Sequence, residues 1–131
     1  MHVTILGCGY VGLVLGRQLT ERGHDVVGVR RSESGIEAVE ETGLRAVRAD
    51  VTDRASLDVL PDTDAVVFAA SSGGRGADAA REVYVDGVTT AIESYTAREA
   101  VPERFVYTSS TGVYGDHGGE WVDEATPIDP T

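Results

Sequence analysis

Three closely spaced glycines near the amino terminus carry the first chemical signal of this sequence. The stretch GCGYVG places Gly7, Gly9 and Gly12 in the pattern G-x-G-x-x-G. In such a loop the first glycine permits a tight turn, the second lets the backbone approach a pyrophosphate, and the third lets the helix pack on the strand. The amides of Tyr10 and Val11, in the first helical turn, would then face the phosphates. The pattern by itself is weak and needs a strand before it and a helix after it.

The neighbouring segments supply that context. The apolar run HVTIL predicts a buried strand that stops at Gly7, and DVVGVR predicts a second strand. A helix between them, ending at Gly23, is predicted from apolar residues at helical spacing, namely Val11, Val14, Leu15 and Leu19. These elements form a βαβ unit of about thirty residues, as a dinucleotide-binding loop requires. The alternative is a plain tight turn in an α/β protein that binds nothing there.

The same alternation continues along the chain. LRAVRAD, DAVVFAAS and RFVYTSS predict three more strands, and SESGIEAVEETG and DRASLDVLP predict short helices. A further helix is predicted over about 78–100, with core contacts at Val83, Val88 and Ile92. The segment after the fifth strand is rich in glycine and proline and is read as loop. We therefore predict one domain over 1–131, a Rossmann-type doubly wound parallel sheet in the order 3-2-1-4-5.

The end of the second strand predicts which dinucleotide binds. An NAD site often has a carboxylate there for the ribose hydroxyls, whereas this chain has Arg30 and Arg31, followed by Ser32. A 2′-phosphate carries about two negative charges, and an arginine fork can bind it bidentately. The arginines therefore favour NADP as the cofactor, with NAD as the alternative. The alternative interpretation is that the two arginines are simply solvated at a strand end and bind no ligand.

Composition narrows the class of protein. The 131 residues include 22 acidic and 11 basic side chains, no lysine, and a formal net charge of -11. Such a charge repels nucleic acid and anionic membranes, so neither is expected as a partner. An acidic chain without lysine predicts adaptation to high salt, and an ordinary acidic protein is the alternative. With no signal-peptide pattern and no apolar run of about 18 residues, we expect a cytoplasmic protein. The single cysteine, Cys8, and three scattered histidines predict no disulfide and no metal site.

Later segments resemble a known family. RADVTD, VVFAAS, VYTSSTGVYGD and WVDEATPIDP are similar to segments of extended and atypical short-chain dehydrogenases/reductases, in the NAD(P)-dependent epimerase/dehydratase family. The resemblance implies that Asp50, with Val51 beside it, contacts the adenine. It implies that three further residues lie along the cofactor, namely Ala69, Ala70 and Ser109. It places the active-site Ser/Thr role on Ser110 and aligns Asp86 with the family's active-site Asn.

The sequence departs from that family in three respects. Leu6 occupies the first glycine position of the family's loop, and Asp86 replaces the Asn. The family's proton-transferring Tyr-x-x-x-Lys pair is absent, since the chain has no lysine. We therefore expect the amino-terminal, cofactor-binding part of a hydride-transferring enzyme that acts on a sugar-nucleotide-like substrate, inactive alone. A homodimer is a candidate assembly of the complete enzyme.

Two alternatives remain open from the sequence. One is a non-catalytic module that senses NAD(P) or serves as a scaffold. The other is the amino-terminal domain of a UDP-sugar 6-dehydrogenase, which shares GYVGL…ERGHDVVGV but lacks the later segments.

Overall fold

Strands and helices alternate through the part of the chain that the structure describes. The computed structural model describes residues 1–70 and 82–108. Within these ranges the elements are β1 (His2–Leu6), α1 (Tyr10–Glu21), β2 (Asp25–Arg30), α2 (Glu33–Glu41), β3 (Arg45–Arg48), α3 (Arg54–Asp58), β4 (Ala65–Phe68), a π-helical segment (Glu82–Gly87) continued by α4 (Val88–Thr96), and β5 (Arg104–Tyr107). No helix in these ranges is both long enough and apolar enough to cross a membrane.

The strands form one parallel sheet in the order β3-β2-β1-β4-β5, which confirms the prediction. In the centre, Ile5 of β1 pairs with Gly28 of β2 on one side and with Val67 of β4 on the other. The chain order reverses between β1 and β4, so the crossovers from these strands leave in opposite directions. In open α/β sheets a ligand binds in the crevice that this reversal creates at the carboxyl ends of the strands.

Both faces of the sheet are covered, which explains why its central strands are apolar without alternation. Ile5 and Val67 belong to one core cluster, together with Val39 of α2, and the apolar side chains of α1 pack against it. Leu6 and Phe68 belong to the second cluster, with apolar residues of α3 and α4. Successive residues of β1 and β4 therefore point into opposite cores, and the helix layers hold the strands on both faces.

Helix α1 packs on the sheet through glycines. Gly12 and Gly16 are its buried residues, whereas Val11 and Val14 are 60% and 44% exposed. A Cβ on Gly16 would lie 2.6 Å from Cδ1 of Leu44. The two glycines bring the helix axis close to β1, so the amino-terminal end of α1 lies directly beside the end of that strand.

The predicted core residues of the π-helical segment and α4 need one correction. Val83 is buried and Val88 is partly buried, as predicted, but Ile92 is 44% exposed. The buried positions that the structure describes in these two segments are Val83, Gly87, Ala91, Ser94 and Tyr95. Three of these five residues are small, and a search for large apolar side chains therefore selected the neighbouring face.

Arg98 joins the end of α4 to the end of α3. Its guanidinium lies 4.5 Å over the ring of Tyr95. It donates hydrogen bonds to the carbonyl oxygens of Leu57 and Leu60, at 2.8 and 2.7 Å, and to Asp62 Oδ1 at 3.0 Å. We expect Arg98→Ala to lower the free energy of unfolding, measured in urea, by about 2–3 kcal/mol, because charged hydrogen bonds to buried carbonyls are lost.

Arg54→Ala is the matched control for this prediction. Arg54 is half exposed, and its ion pairs with described residues are long, 3.7 Å to Asp58 and 3.9 Å to Glu93. Exposed pairs of this kind contribute less than about 1 kcal/mol. Equal losses in the two variants would show that the contacts of Arg98 do not stabilise the packing of α3 on α4.

Candidate cofactor-binding site

A cleft of about 490 Å³ lies at the carboxyl ends of the strands. It is lined by Gly7, Gly9, Tyr10, Val11, Val29, Arg30, Arg31, Ser32, Ala49, Asp50, Val51, Ala69, Ala70 and Val83. Every predicted cofactor-binding residue is in this set except Gly12 and Ser109. The lining residues come from five separate stretches of the sequence, four of them at strand ends that the sheet order brings together.

The remaining predicted residues lie elsewhere. Gly12 is buried under the loop, where a Cβ would lie 3.0 Å from Ile5 Cγ2. Asp86 is exposed on the π-helical segment and does not line the cleft; its carbonyl oxygen accepts a hydrogen bond from Thr90 Oγ1. Ser109 and Ser110 lie outside the described residues. The catalytic roles of Ser110 and Asp86 stay predictions.

Three apolar lining residues were missed from the sequence, namely Val29, Ala49 and Val83. Val29 and Ala49 directly precede the polar residues Arg30 and Asp50, at the ends of β2 and β3. Their position before a polar strand end was the available signal. For Val83 the sequence offered only a core position on a helix.

The glycine loop is held at both sides. The amides of Gly7 and Cys8 donate to the carbonyl oxygen of Val29 at 3.0 and 2.9 Å. Gly7 has φ +76°, and a Cβ there would lie 2.2 Å from Cα of Ala70. The loop is thus bonded to the end of β2 and fits directly against the backbone that follows β4.

Helix α1 begins in the cleft with its amides open. Gly9 precedes the helix and no side chain caps it. Among the described residues, the atom nearest to a Cβ on Gly9 would be Arg30 Nη1, at 3.8 Å. The first-turn amides, from Tyr10 onward, have no intrahelical acceptor. Their donors and the helix dipole together suit an anionic group such as a pyrophosphate.

Two arginines and a serine form the rim beside the loop. Arg30 Nη1 donates to the carbonyl oxygen of Cys8 at 3.3 Å. Within residues 1–70 and 82–108, no carboxylate forms an ion pair with Arg30 or Arg31 within 4.0 Å. Ser32 caps α2, because its Oγ accepts the amide of Gly35 at 3.1 Å. The guanidinium groups therefore keep most of their donors for a ligand.

Asp50 supplies a fixed acceptor at the other side of the cleft. Its Oδ1 accepts from the hydroxyl and the amide of Thr52, at 2.7 and 2.9 Å. The hydroxyl bond from Thr52 is the main cause that holds the pKa of Asp50 below 3.8, with help from the amide and from Arg31, against the opposing effect of burial. Asp50 is ionised at neutral pH and can accept N–H donors of a base. No group of three His, Cys, Asp or Glu side chains in the described ranges could hold a metal ion.

Cys8 is part of the glycine loop, and its thiol is buried and protonated at neutral pH. Burial raises the pKa of its thiol to about 11, opposed only by the charge of Arg30. The folded chain therefore keeps this proton above the ordinary thiol pKa of 9.0. The contribution of Cys8 to stability is present below pH 9.0 and is lost as pH rises toward about 11.

Alkylation of Cys8 tests this state of the thiol. The thiolate is the reacting form, and each pKa unit changes its fraction about tenfold. At pH 8 we expect iodoacetamide to modify the folded chain at least about 100-fold more slowly than the urea-unfolded chain. Similar rates in the two states would contradict a buried, neutral thiol.

The cleft and its loop can be compared with known proteins. The sequence profile of the NAD dependent epimerase/dehydratase family matches residues 3–131. Protein YeeZ of Escherichia coli is 36% identical over 133 residues, which cover 98% of this chain and 47% of YeeZ. A UDP-glucose 4-epimerase of Corynebacterium glutamicum is 31% identical over 130 residues, which cover 95% of this chain and 39% of that protein. The chain thus spans less than half the length of these relatives.

A solved structure agrees with the fold. The enzyme WbmH of Bordetella bronchiseptica, crystallised in complex with NAD⁺, is 26% identical. It superposes with a TM-score of 0.77 over 98% of this chain and 46% of its own.

Proposed function

The chain belongs to the NAD-dependent epimerase/dehydratase family, and from that premise we propose that its cleft binds a nicotinamide dinucleotide. The observation that carries the proposal is the glycine loop, which leaves Gly9 and the first amides of α1 open to the cleft. Because those amides have no acceptor within the helix, a pyrophosphate would satisfy them. The cleft volume of about 490 Å³ is of the size that small-molecule sites have.

The lining residues divide into three groups along the cleft. The glycine loop would hold the pyrophosphate. Asp50, beside Val51, would accept hydrogen bonds from the adenine, as the family resemblance implies. Ala69 and Ala70 follow β4 with short side chains, so they leave room for the part of the cofactor that approaches the active site.

We propose further that NADP is preferred over NAD. Arg30 and Arg31 line the cleft together with Ser32, and no carboxylate lies among these three residues to repel a 2′-phosphate. Guanidinium groups without an ion-pair partner favour a doubly charged phosphate through charge-assisted hydrogen bonds. NAD, which the family description names, is the alternative.

Calorimetric titration of the chain with NADP⁺ and with NAD⁺ tests both statements. We expect NADP⁺ to bind at least about tenfold more tightly, the effect of one charge-assisted contact. Equal affinities, or tighter binding of NAD⁺, would refute the preference. Failure of both dinucleotides to bind would refute the cofactor site itself.

In the complete enzyme, we propose chemistry on a sugar-nucleotide-like substrate. A nicotinamide, when bound, would supply the hydride acceptor. A base would take the proton from the hydroxyl group on the substrate carbon that loses the hydride. Ser110 would hydrogen-bond the reacting oxygen. The base would be the tyrosine of a Tyr-x-x-x-Lys pair, which these 131 residues lack because they contain no lysine.

A non-catalytic NADP-binding module is the second candidate; it would keep the glycine loop and the arginine pair without the Tyr-x-x-x-Lys pair. The DNA that follows the codon of Thr131 separates the two. An open frame with Tyr-x-x-x-Lys supports the enzyme. A stop codon, or a frame without that pair, supports the module.

We also propose that the protein is adapted to salt and resides in the cytoplasm. In the described ranges, ion pairs within 4.0 Å involve only four acidic side chains, namely Asp25, Asp58, Asp62 and Glu93. Most acidic side chains in these ranges therefore have no cationic partner within 4.0 Å, and counter-ions are left to screen the net charge of -11. The melting temperature is expected to rise between low and molar salt, and a constant value would refute the adaptation.

A further inference from the structure

The end of β2 and the first turn of α2 approach each other closely at one glycine. Gly35 is buried in the first turn of α2. A Cβ there would lie 2.7 Å from Nε of Arg30 and 2.9 Å from both its Cβ and its Cζ. Because carbon atoms do not approach so closely without a shift, the observed position of the Arg30 side chain requires glycine at 35.

The opposite side of the same guanidinium contacts the glycine loop. Its Nη1 donates to the carbonyl oxygen of Cys8 at 3.3 Å and lies 3.8 Å from where a Cβ of Gly9 would be. The guanidinium is therefore enclosed between α2 and the loop, at the border of the cleft. An arginine fixed in this way loses less rotamer freedom when an anion binds.

We propose that Gly35 is a specificity-determining positioning residue, which holds the Arg30 guanidinium over the glycine loop where it meets a phosphate on the adenosine ribose. This inference rests on the proposed preference for NADP. Gly35 does not touch the ligand and acts only through Arg30. If Gly35 were small only because α2 packs on β2, its replacement would leave the ratio of the two cofactor affinities unchanged.

The variant Gly35→Ala separates these roles, because it keeps the amide that caps α2 on Ser32. We expect its affinity for NADP⁺ to fall about tenfold, since a charge-assisted contact is misplaced. Its affinity for NAD⁺ should not change. The readout is the affinity ratio, which is the dissociation constant for NAD⁺ divided by that for NADP⁺, measured by calorimetry on the chain.

Gly16→Ala is the matched control. Gly16 is also a buried helical glycine, and its added Cβ would meet Cδ1 of Leu44 at 2.6 Å, but it does not line the cleft. This variant should lower the melting temperature and leave the affinity ratio of the wild type. A similar fall of the ratio in both glycine variants would overturn the inference.

Arg30→Lys keeps the inference refutable if Gly35→Ala does not fold, because it tests whether the enclosed planar guanidinium, rather than its charge, sets the preference. It retains Gly35 and the positive charge but removes the planar guanidinium that the glycine accommodates. We expect the same loss of about tenfold for NADP⁺ alone; an unchanged ratio would overturn the inference.

The outcomes also distinguish this inference from the proposed function. A ratio that falls in Arg30→Ala but not in Gly35→Ala would refute the role of Gly35 and leave the NADP preference in place. A wild-type ratio near one would refute the preference and the inference together.

Discussion

Gly7→Ala is expected to abolish measurable dinucleotide binding and to lower the free energy of unfolding by about 3 kcal/mol or more. Two effects add. The left-handed backbone at φ +76° costs an alanine about 1–2 kcal/mol. The new methyl group would also lie 2.2 Å from the Cα of Ala70, which is backbone and cannot rotate away. The loop must then separate from the end of β4, and its amides leave the cleft.

Gly23→Ala carries the first effect alone. Gly23 has a similar conformation, φ +87°, but no atom of residues 1–70 or 82–108 lies within 4 Å of an added Cβ. We expect this control to lose only about 1–2 kcal/mol, measured by urea unfolding, and to keep its affinity for the dinucleotide. If Gly7→Ala also retained wild-type affinity, the loop could not be the pyrophosphate site.

Arg30→Ala should produce the largest change in cofactor selectivity. Removal of a guanidinium that contacts a phosphate costs about 1.5–3 kcal/mol, which is roughly a 10- to 150-fold loss of NADP⁺ affinity. NAD⁺ lacks the 2′-phosphate, so its affinity should remain that of the wild type. Calorimetry with both dinucleotides, at one salt concentration, measures the effect.

Arg45→Ala controls for the change in net charge. Arg45 begins β3, at the end of the sheet away from the cleft, and is exposed. Its removal should leave the affinities for both dinucleotides nearly unchanged. Equal weakening of NADP⁺ and NAD⁺ in Arg30→Ala would instead assign Arg30 a general structural role.

The sheet order was predictable from the sequence because apolar strands alternate with helices and right-handed crossovers leave few topologies. The glycine loop was predictable for a related reason. Its three glycines act within six residues of sequence, between a strand and a helix. The strand ends that carry Arg30, Asp50 and Ala69 then reach the same edge, because parallel strands end together.

The packing faces of the helices were less accessible. In α1, and in the π-helical segment that continues into α4, the buried positions include Gly12, Gly16 and Gly87, so exposed valines and Ile92 carried the misleading apolar signal. Because glycine has no side chain, its burial leaves no apolar pattern in the sequence. These buried positions follow only from the short distance between helix and sheet. The pair Gly35 and Arg30 has the same origin. Four residues lie between them in sequence, but the turn from β2 into α2 determines their contact.

The central claim is that a dinucleotide binds at the carboxyl ends of the strands. The most direct test follows the backbone amide chemical shifts of the chain by NMR as NADP⁺ is added. We expect shifts at Gly7–Val11, Arg30–Ser32 and Asp50–Val51. Shifts confined to the groove at the opposite end of the sheet, lined by His2, Asp25, Arg45 and Thr63, or no shifts at saturating NADP⁺, would contradict it.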